Sequence, residues 1–365
     1  MESKVEIIAL VLVIFMGLWR VYQFGVRWRK IHPKPIVQER SNQKLGEKQR
    51  NDAIIPLSSF NWRTTEPLKF RPFKPKYHLT MGLENCTPSE LIEMDKNYLS
   101  HISLRREIMD SHTEIAMGAT SSSIPAVNEL YIYLTNKYLP QRYPTMFSLS
   151  GSNLINLVTS EEIPLVPTAD PLETLRRLGG NIDEDFLLLL PSIDGDGYRL
   201  EAYISCFPAG FNTREKWGKK LREIHKPVPG YKEKLEKSMD RFFDKIEVGR
   251  LVRRVNWSIT THDRLFAASE DNHLYEGEEV AQEDVDISKT RLRCERQMLH
   301  RLPETRALCF SLKTYLYPVE DIKKEGLGET LAVAIDGLKE GSTPAMHFYK
   351  KGVVWGEAVK TFLRT

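Results

Sequence analysis

Cysteine is scarce: only Cys86, Cys206, Cys294 and Cys309 occur in 365 residues, with no C-x-x-C pair. That spacing excludes a zinc ribbon, a cysteine-held iron–sulfur cluster and covalent haem attachment through C-x-x-C-H. Cys206, Cys294 and Cys309 fall inside strand-like runs, where free cysteine is ordinarily a buried thiol, and a reducing compartment suits them. A surplus of charge is also missing. The net formal charge is +3, and Met1–Lys30 holds five basic and two acidic side chains. Removing these from the totals of 52 and 49 leaves 47 of each sign in residues 31–365. Nucleic-acid binders draw affinity from phosphate neutralisation, so this balance argues against that class. Nucleophile elbows, phosphate loops and dinucleotide fingerprints are absent as well. The one Gly-rich stretch, Asp194-Gly-Asp-Gly197, has the chemistry of a hairpin turn.

Long apolar runs are confined to the N-terminus. Ile7–Trp19 is uncharged, and Ile7–Val26 would span the ~30 Å hydrocarbon core if Arg20 reached the interface. Basic residues follow the run, and a small-x-small cleavage site is missing, which favours an uncleaved anchor over a signal peptide. Arg20, Arg27, Arg29 and Lys30 set the positive-inside bias. The expectation is a single-pass membrane protein, in the endoplasmic reticulum, with its C-terminal domain in the cytosol. Four segments follow: a membrane anchor with a basic flank over 1–30, a linker over 31–66, the main domain over 67–340 and a C-terminal extension over 341–365.

Within the main domain, Leu91, Met94, Asp95, Tyr98, Ile102, Arg105 and Ile108 recur at helical steps from Pro88 onward, and a second helix is expected over 124–139, ended by Pro140. Past Tyr143 the period shortens to two. Asp185–Pro191 and Tyr198–Phe207 read as a hairpin, followed by helices over 213–223 and 231–246 and strands over 252–260, 291–299 and 307–316. A last helix is expected over 319–338. The class is α+β, built on one antiparallel sheet.

Three places hold side chains suited to chemistry. In IHKPVPGY, Pro227 and Pro229 fix the turn after His225, and a stiffly held imidazole suits a metal, a proton or the turn itself. In the 291–302 strand, Leu292, Cys294, Arg296, Met298 and His300 share the more apolar face, while Arg293, Glu295, Gln297 and Arg301 share the other. A buried Arg296 needs an anion, from a neighbouring carboxylate or from a ligand. Asn256, Ser258, Thr260 and His262 form a polar row that either lines a cavity or faces water.

The strings PFKPKYHLTMGL (72–83), LIEMDKNYLSHISLRREI (91–108), EDFLLLL (184–190), IHKPVPGY, EKLEKSMDRFF (233–243), RVNWSITTHDRLF (254–266) and LRCERQMLHRLPET with KTYLYP (292–318) resemble the haem-dependent oxidative N-demethylase alpha-subunit-like family. The resemblance implies a PAS-like antiparallel sheet flanked by helices and holding a noncovalent haem b. It further implies O2-dependent demethylation of a small secondary or related amine, with electrons from NADPH through a separate reductase, since no flavin or ferredoxin pattern is present. On that footing His225 is the expected axial ligand to iron, with His262 and His300 as the other cofactor-side histidines. Arg296 becomes a partner for a haem propionate, and Glu295, Asp263 and Tyr231 are candidates to face the amine. The rival expectation is a haem-binding gas or redox sensor, or a binding module, tethered to the membrane.

Overall fold

The computed structural model describes residues 53–268, 272–280 and 284–365. Its centre is a seven-stranded antiparallel sheet. The strands are β1 (Glu84–Cys86), β2 (Met117–Ala119), β6 (Asp185–Pro191), β7 (Tyr198–Ile204), β8 (Leu251–Thr260), β9 (Arg291–Arg301) and β10 (Leu308–Pro318). They lie in the order β1-β8-β9-β10-β6-β7-β2. A separate three-stranded sheet joins β3 (Phe147–Ser150), β4 (Asn153–Asn156) and β5 (Glu161–Pro164). The α+β class is therefore as the alternation of the long strands implies.

Both faces of the large sheet are covered, so its strands bury side chains on both sides. One apolar cluster includes Tyr98, Ile102, Leu130, Met298 and Cys309, under the helices Tyr98–Ser111 and Ile124–Tyr133. The other includes Leu200, Tyr231, Phe243, Leu299 and Ile335, under the segment 205–246 and the C-terminal helices Gly328–Glu340 and Gly352–Arg364.

Helix limits depart from the periodicity where the backbone finds other partners. Between Pro88 and Tyr98 only the turn Pro88–Glu90 is helical. The N–H groups of Ile92, Glu93 and Asn97 donate instead to Tyr138 Oη, Glu184 Oε1 and Asp95 Oδ1. Pro140 does not end the second helix. A π-helical turn, Leu134–Tyr138, precedes it and Pro140 opens the final turn Leu139–Arg142, where a missing N–H costs nothing. The 213–223 expectation breaks at Gly218, and the 319–338 expectation at Gly326, both at positive φ.

The expected transmembrane anchor, and the single-pass endoplasmic-reticulum placement drawn from it, are corrected. Among the described residues no helix is long and apolar enough to cross a membrane. The helix Tyr98–Ser111 has 14 residues, against the roughly 20 that a span requires. The run that prompted the expectation, Ile7–Val26, lies outside the described residues.

The face beneath the Tyr98–Ser111 helix carries a buried ionic network. Lys313 Nζ reaches Asp183 Oδ2 at 2.8 Å and Asp95 Oδ2 at 3.3 Å, and His101 Nδ1 meets the same Asp183 oxygen at 2.9 Å. Burial pushes the Asp183 carboxyl up, but Lys313 and His101 outweigh it and hold it well below the usual range. Lys313→Met should therefore leave two buried carboxylates facing each other and cost about 3–5 kcal/mol in urea unfolding at neutral pH. In the wild type, Asp183 contributes stability that is present above about pH 4 and lost as the pH falls. The variant should show a flatter acid limb, and an unchanged midpoint and slope would refute this account of the network.

Candidate cofactor and substrate cavity

On the opposite face, strand alternation turns one set of side chains toward a cavity of about 300 Å³. β8 supplies Val252, Arg254, Asn256 and Ser258, and β9 supplies Arg293, Glu295, Gln297 and Leu299. β6 and β10 add Leu187, Leu189, Phe310 and Leu312 as an apolar floor. The roof is the segment 205–246, and Tyr77–Leu83 and Met346–Lys350 together complete the wall.

The roof is held by polar contacts from the sheet. Asp185 accepts from the backbone N–H groups of Cys206 at 2.9 Å and Phe207 at 3.0 Å. Arg293 donates to the carbonyls of Phe207 at 2.7 Å and Pro208 at 3.1 Å. Further along, the Pro-rich stretch folds as two successive turns, with Val228 N donating to His225 O and Tyr231 N to Val228 O. Gly230 sits at φ 73° against Thr343, where a larger residue would meet both backbone strain and contact.

That turn fixes His225. Its Nδ1 donates to Leu221 O at 2.8 Å, and its ring stacks on Tyr231 with centroids 4.9 Å apart and planes 19° from parallel. Burial, with Lys216 and Arg254 nearby, pulls its pKa down to about 4 despite the Leu221 bond, so the imidazole is neutral. A neutral ring that donates from Nδ1 carries its lone pair on Nε2, on a residue that lines the cavity.

The cavity is also cationic. Lys216, Arg254, Arg293 and Lys350 line it, and none forms an ion pair with a carboxylate of a described residue. Arg254 Nε is buried without any hydrogen-bond partner, and Lys216 has only the ring of Phe211, 3.4 Å from its Nζ. Desolvation lowers Lys216 and Lys350 to about 8 each, against the opposing pull of Glu295. Glu295 itself is buried and accepts from Gln297 at 3.0 Å. A second imidazole, His273, lies against Tyr349 with centroids 4.6 Å apart, its Nδ1 unpartnered.

The structure thus brings His225, Tyr231 and Glu295 into one cavity. The other sequence candidates lie elsewhere. His262 is just past β8, where Nδ1 accepts from Arg264 N and Nε2 meets Asn272 Oδ1, both at 3.2 Å. Asp263 is exposed and 3.5 Å from Arg291. Arg296 points to the far face, 3.4 Å from Glu184 and bonded to the carbonyls of Glu90 and Leu91. Burial raises Glu184 to about 7 against the pull of Arg296 and Lys313. His300 is on that far face too, with neither ring nitrogen hydrogen-bonded. Sequence reasoning missed Arg254, Lys216, His273 and Lys350. Arg254 shares the parity of Asn256 and Ser258 and was legible as part of that row, whereas Lys216 ends a four-residue helix and His273 and Lys350 lie outside regular elements, so no period marks them.

The cavity thus combines apolar walls, a neutral imidazole fixed by its donor side, and cations that form no ion pair with a carboxylate of a described residue. The chain belongs to the haem-dependent oxidative N-demethylase alpha-subunit-like family, whose sequence model matches residues 82–360. That name ties the chain to haem-dependent oxidative chemistry on N-methyl groups, and nearly all of the cavity lining falls inside the matched region.

Unpaired buried cations oppose folding until a ligand arrives. Arg254→Met should stabilise the ligand-free protein by about 1–2 kcal/mol in urea unfolding while weakening haem uptake. A variant that is less stable without ligand, or that takes up haem as tightly as wild type, would contradict this reading of Arg254.

Proposed function

We propose that this chain is a monooxygenase of the oxidative N-demethylase type, which binds haem b in the cavity and demethylates a small secondary or related amine. The observation that carries the proposal is the state of His225, whose Nδ1 is committed to Leu221 O while Nε2 is left as a donor atom on the cavity wall. The residues fit the group in two further respects. Leu187, Leu189, Phe310 and Leu312 offer an apolar bed, and Arg254 and Lys216, the cations without hydrogen bonds, suit two propionates.

When bound, the haem supplies oxidative removal of hydrogen from an N-methyl carbon, with one atom of O2 leaving in formaldehyde and the other in water. The two electrons that this balance needs come from NADPH through a reductase in trans. The chain's own contribution is placement. Glu295, buried and oriented by Gln297, offers a carboxylate to a protonated amine. Tyr231 braces the His225 ring, and the apolar walls exclude water.

Purified protein reconstituted with haem should show about one equivalent bound, with an imidazole-ligated absorption spectrum that shifts on dithionite and CO. His225→Ala should lose that ligation with far-UV dichroism unchanged, and free imidazole should restore part of it. NADPH turnover should require an added reductase. A folded protein that stays colourless would hand the case to the haem-free binding module, and a haem-bearing protein with no reductase-supported turnover to the sensor.

A further inference from the structure

Charge within the cavity constrains what enters it. Lys216, Arg254, Arg293 and Lys350 contribute four cations. Two carboxylates also line the wall, but Asp185 is committed to Arg105 at 2.6 Å, which leaves Glu295 alone to face the four. With haem bound as proposed above, two propionates offset two of the cations, and with Glu295 given to the protonated amine two positive charges stay without a counter-ion. The neutral members of the wall, among them Asn256, Ser258 and Gln297, do not change the balance. In a desolvated site an extra cation costs more than it would in water, and an anion is correspondingly favoured.

Lys350 is the cation placed to receive that anion. Its Nζ donates to Trp257 O and to Asn256 Oδ1, the latter at 3.3 Å, which leaves one of three N–H donors unused. It enters from the C-terminal wall, whereas Arg254 and Lys216 are the groups whose charge acts on His225. Tyr77 and Trp257 flank the ammonium with ring centroids 5.5 and 5.4 Å away, and so fix its stem.

We propose that the amine demethylated in this cavity carries a carboxylate bound by Lys350, so that its class is the N-methyl amino acids and not the simple dialkylamines. The inference rests on the haem reading but is separable from it. Sarcosine and dimethylamine serve as probes, since they share the N-methyl ammonium and differ in the carboxylate. Each is titrated into the full-length haem-loaded protein and followed by the Soret band and by calorimetry.

Wild type should bind sarcosine at least about tenfold more tightly than dimethylamine. Lys350→Met should abolish that preference, and Lys350→Arg should keep most of it. Equal or tighter binding of dimethylamine, or a Lys350→Met protein with the wild-type ratio, would overturn the proposal. Should Lys350→Met fail to fold, the wild-type ratio decides alone. A protein that takes up no haem shows it in the spectrum before any amine is added, and then the parent reading fails first.

Discussion

The carboxylate of Asp185 is the contact on which the rest depends. It sits at the start of a central strand and accepts from Arg105, from two successive backbone N–H groups at Cys206 and Phe207, and from Ser205 at 3.2 Å. Arg105 in turn spans to Glu184 O and Gly179 O, so one buried ion pair ties the helix over one face to the roof over the other. Buried pairs of this kind are seldom large net contributors to stability, because both partners lose water. Their value is geometric: many satisfied bonds admit one arrangement and penalise the rest. Arg293 repeats the device two strands away by gripping the carbonyls of Phe207 and Pro208.

The two faces of the sheet use charge in opposite ways. Under the Tyr98–Ser111 helix, Lys313, Asp183, Asp95, Arg296 and Glu184 neutralise one another at close range. In the cavity, cations lie next to carbonyls and rings, with Glu295 nearby but no close ion pair to a carboxylate of a described residue. Such an arrangement costs stability in the protein alone and would favour an anion that entered the cavity.

Strand parity carried most of what the sequence revealed. It separated Arg293, Glu295 and Gln297 from Cys294, Arg296 and His300 correctly, yet it could not say which side held the cavity, because both faces are covered and the ion-rich network near Arg296 resembles a site in one dimension. The turn around His225 was legible because proline restricts the backbone irrespective of tertiary context. Helix limits were less so: Ile92, Glu93 and Asn97 find acceptors on distant or local side chains, and no periodicity encodes those. The three short strands β3 to β5 were missed for a related reason, since four-residue strands with exposed faces leave too little alternation to read.

The cavity wall draws on Tyr77–Leu83 and on Met346–Lys350, segments joined where Gly337 and Gly341 let the backbone of residues 75–77 approach so closely that any side chain would collide. Ser342 N donates to Tyr77 O, and Tyr77 N to Gly337 O, which stitches the two together. This wall therefore rests on residues far apart in the sequence, and a chain truncated before Met346 would leave that side of the cavity open to solvent.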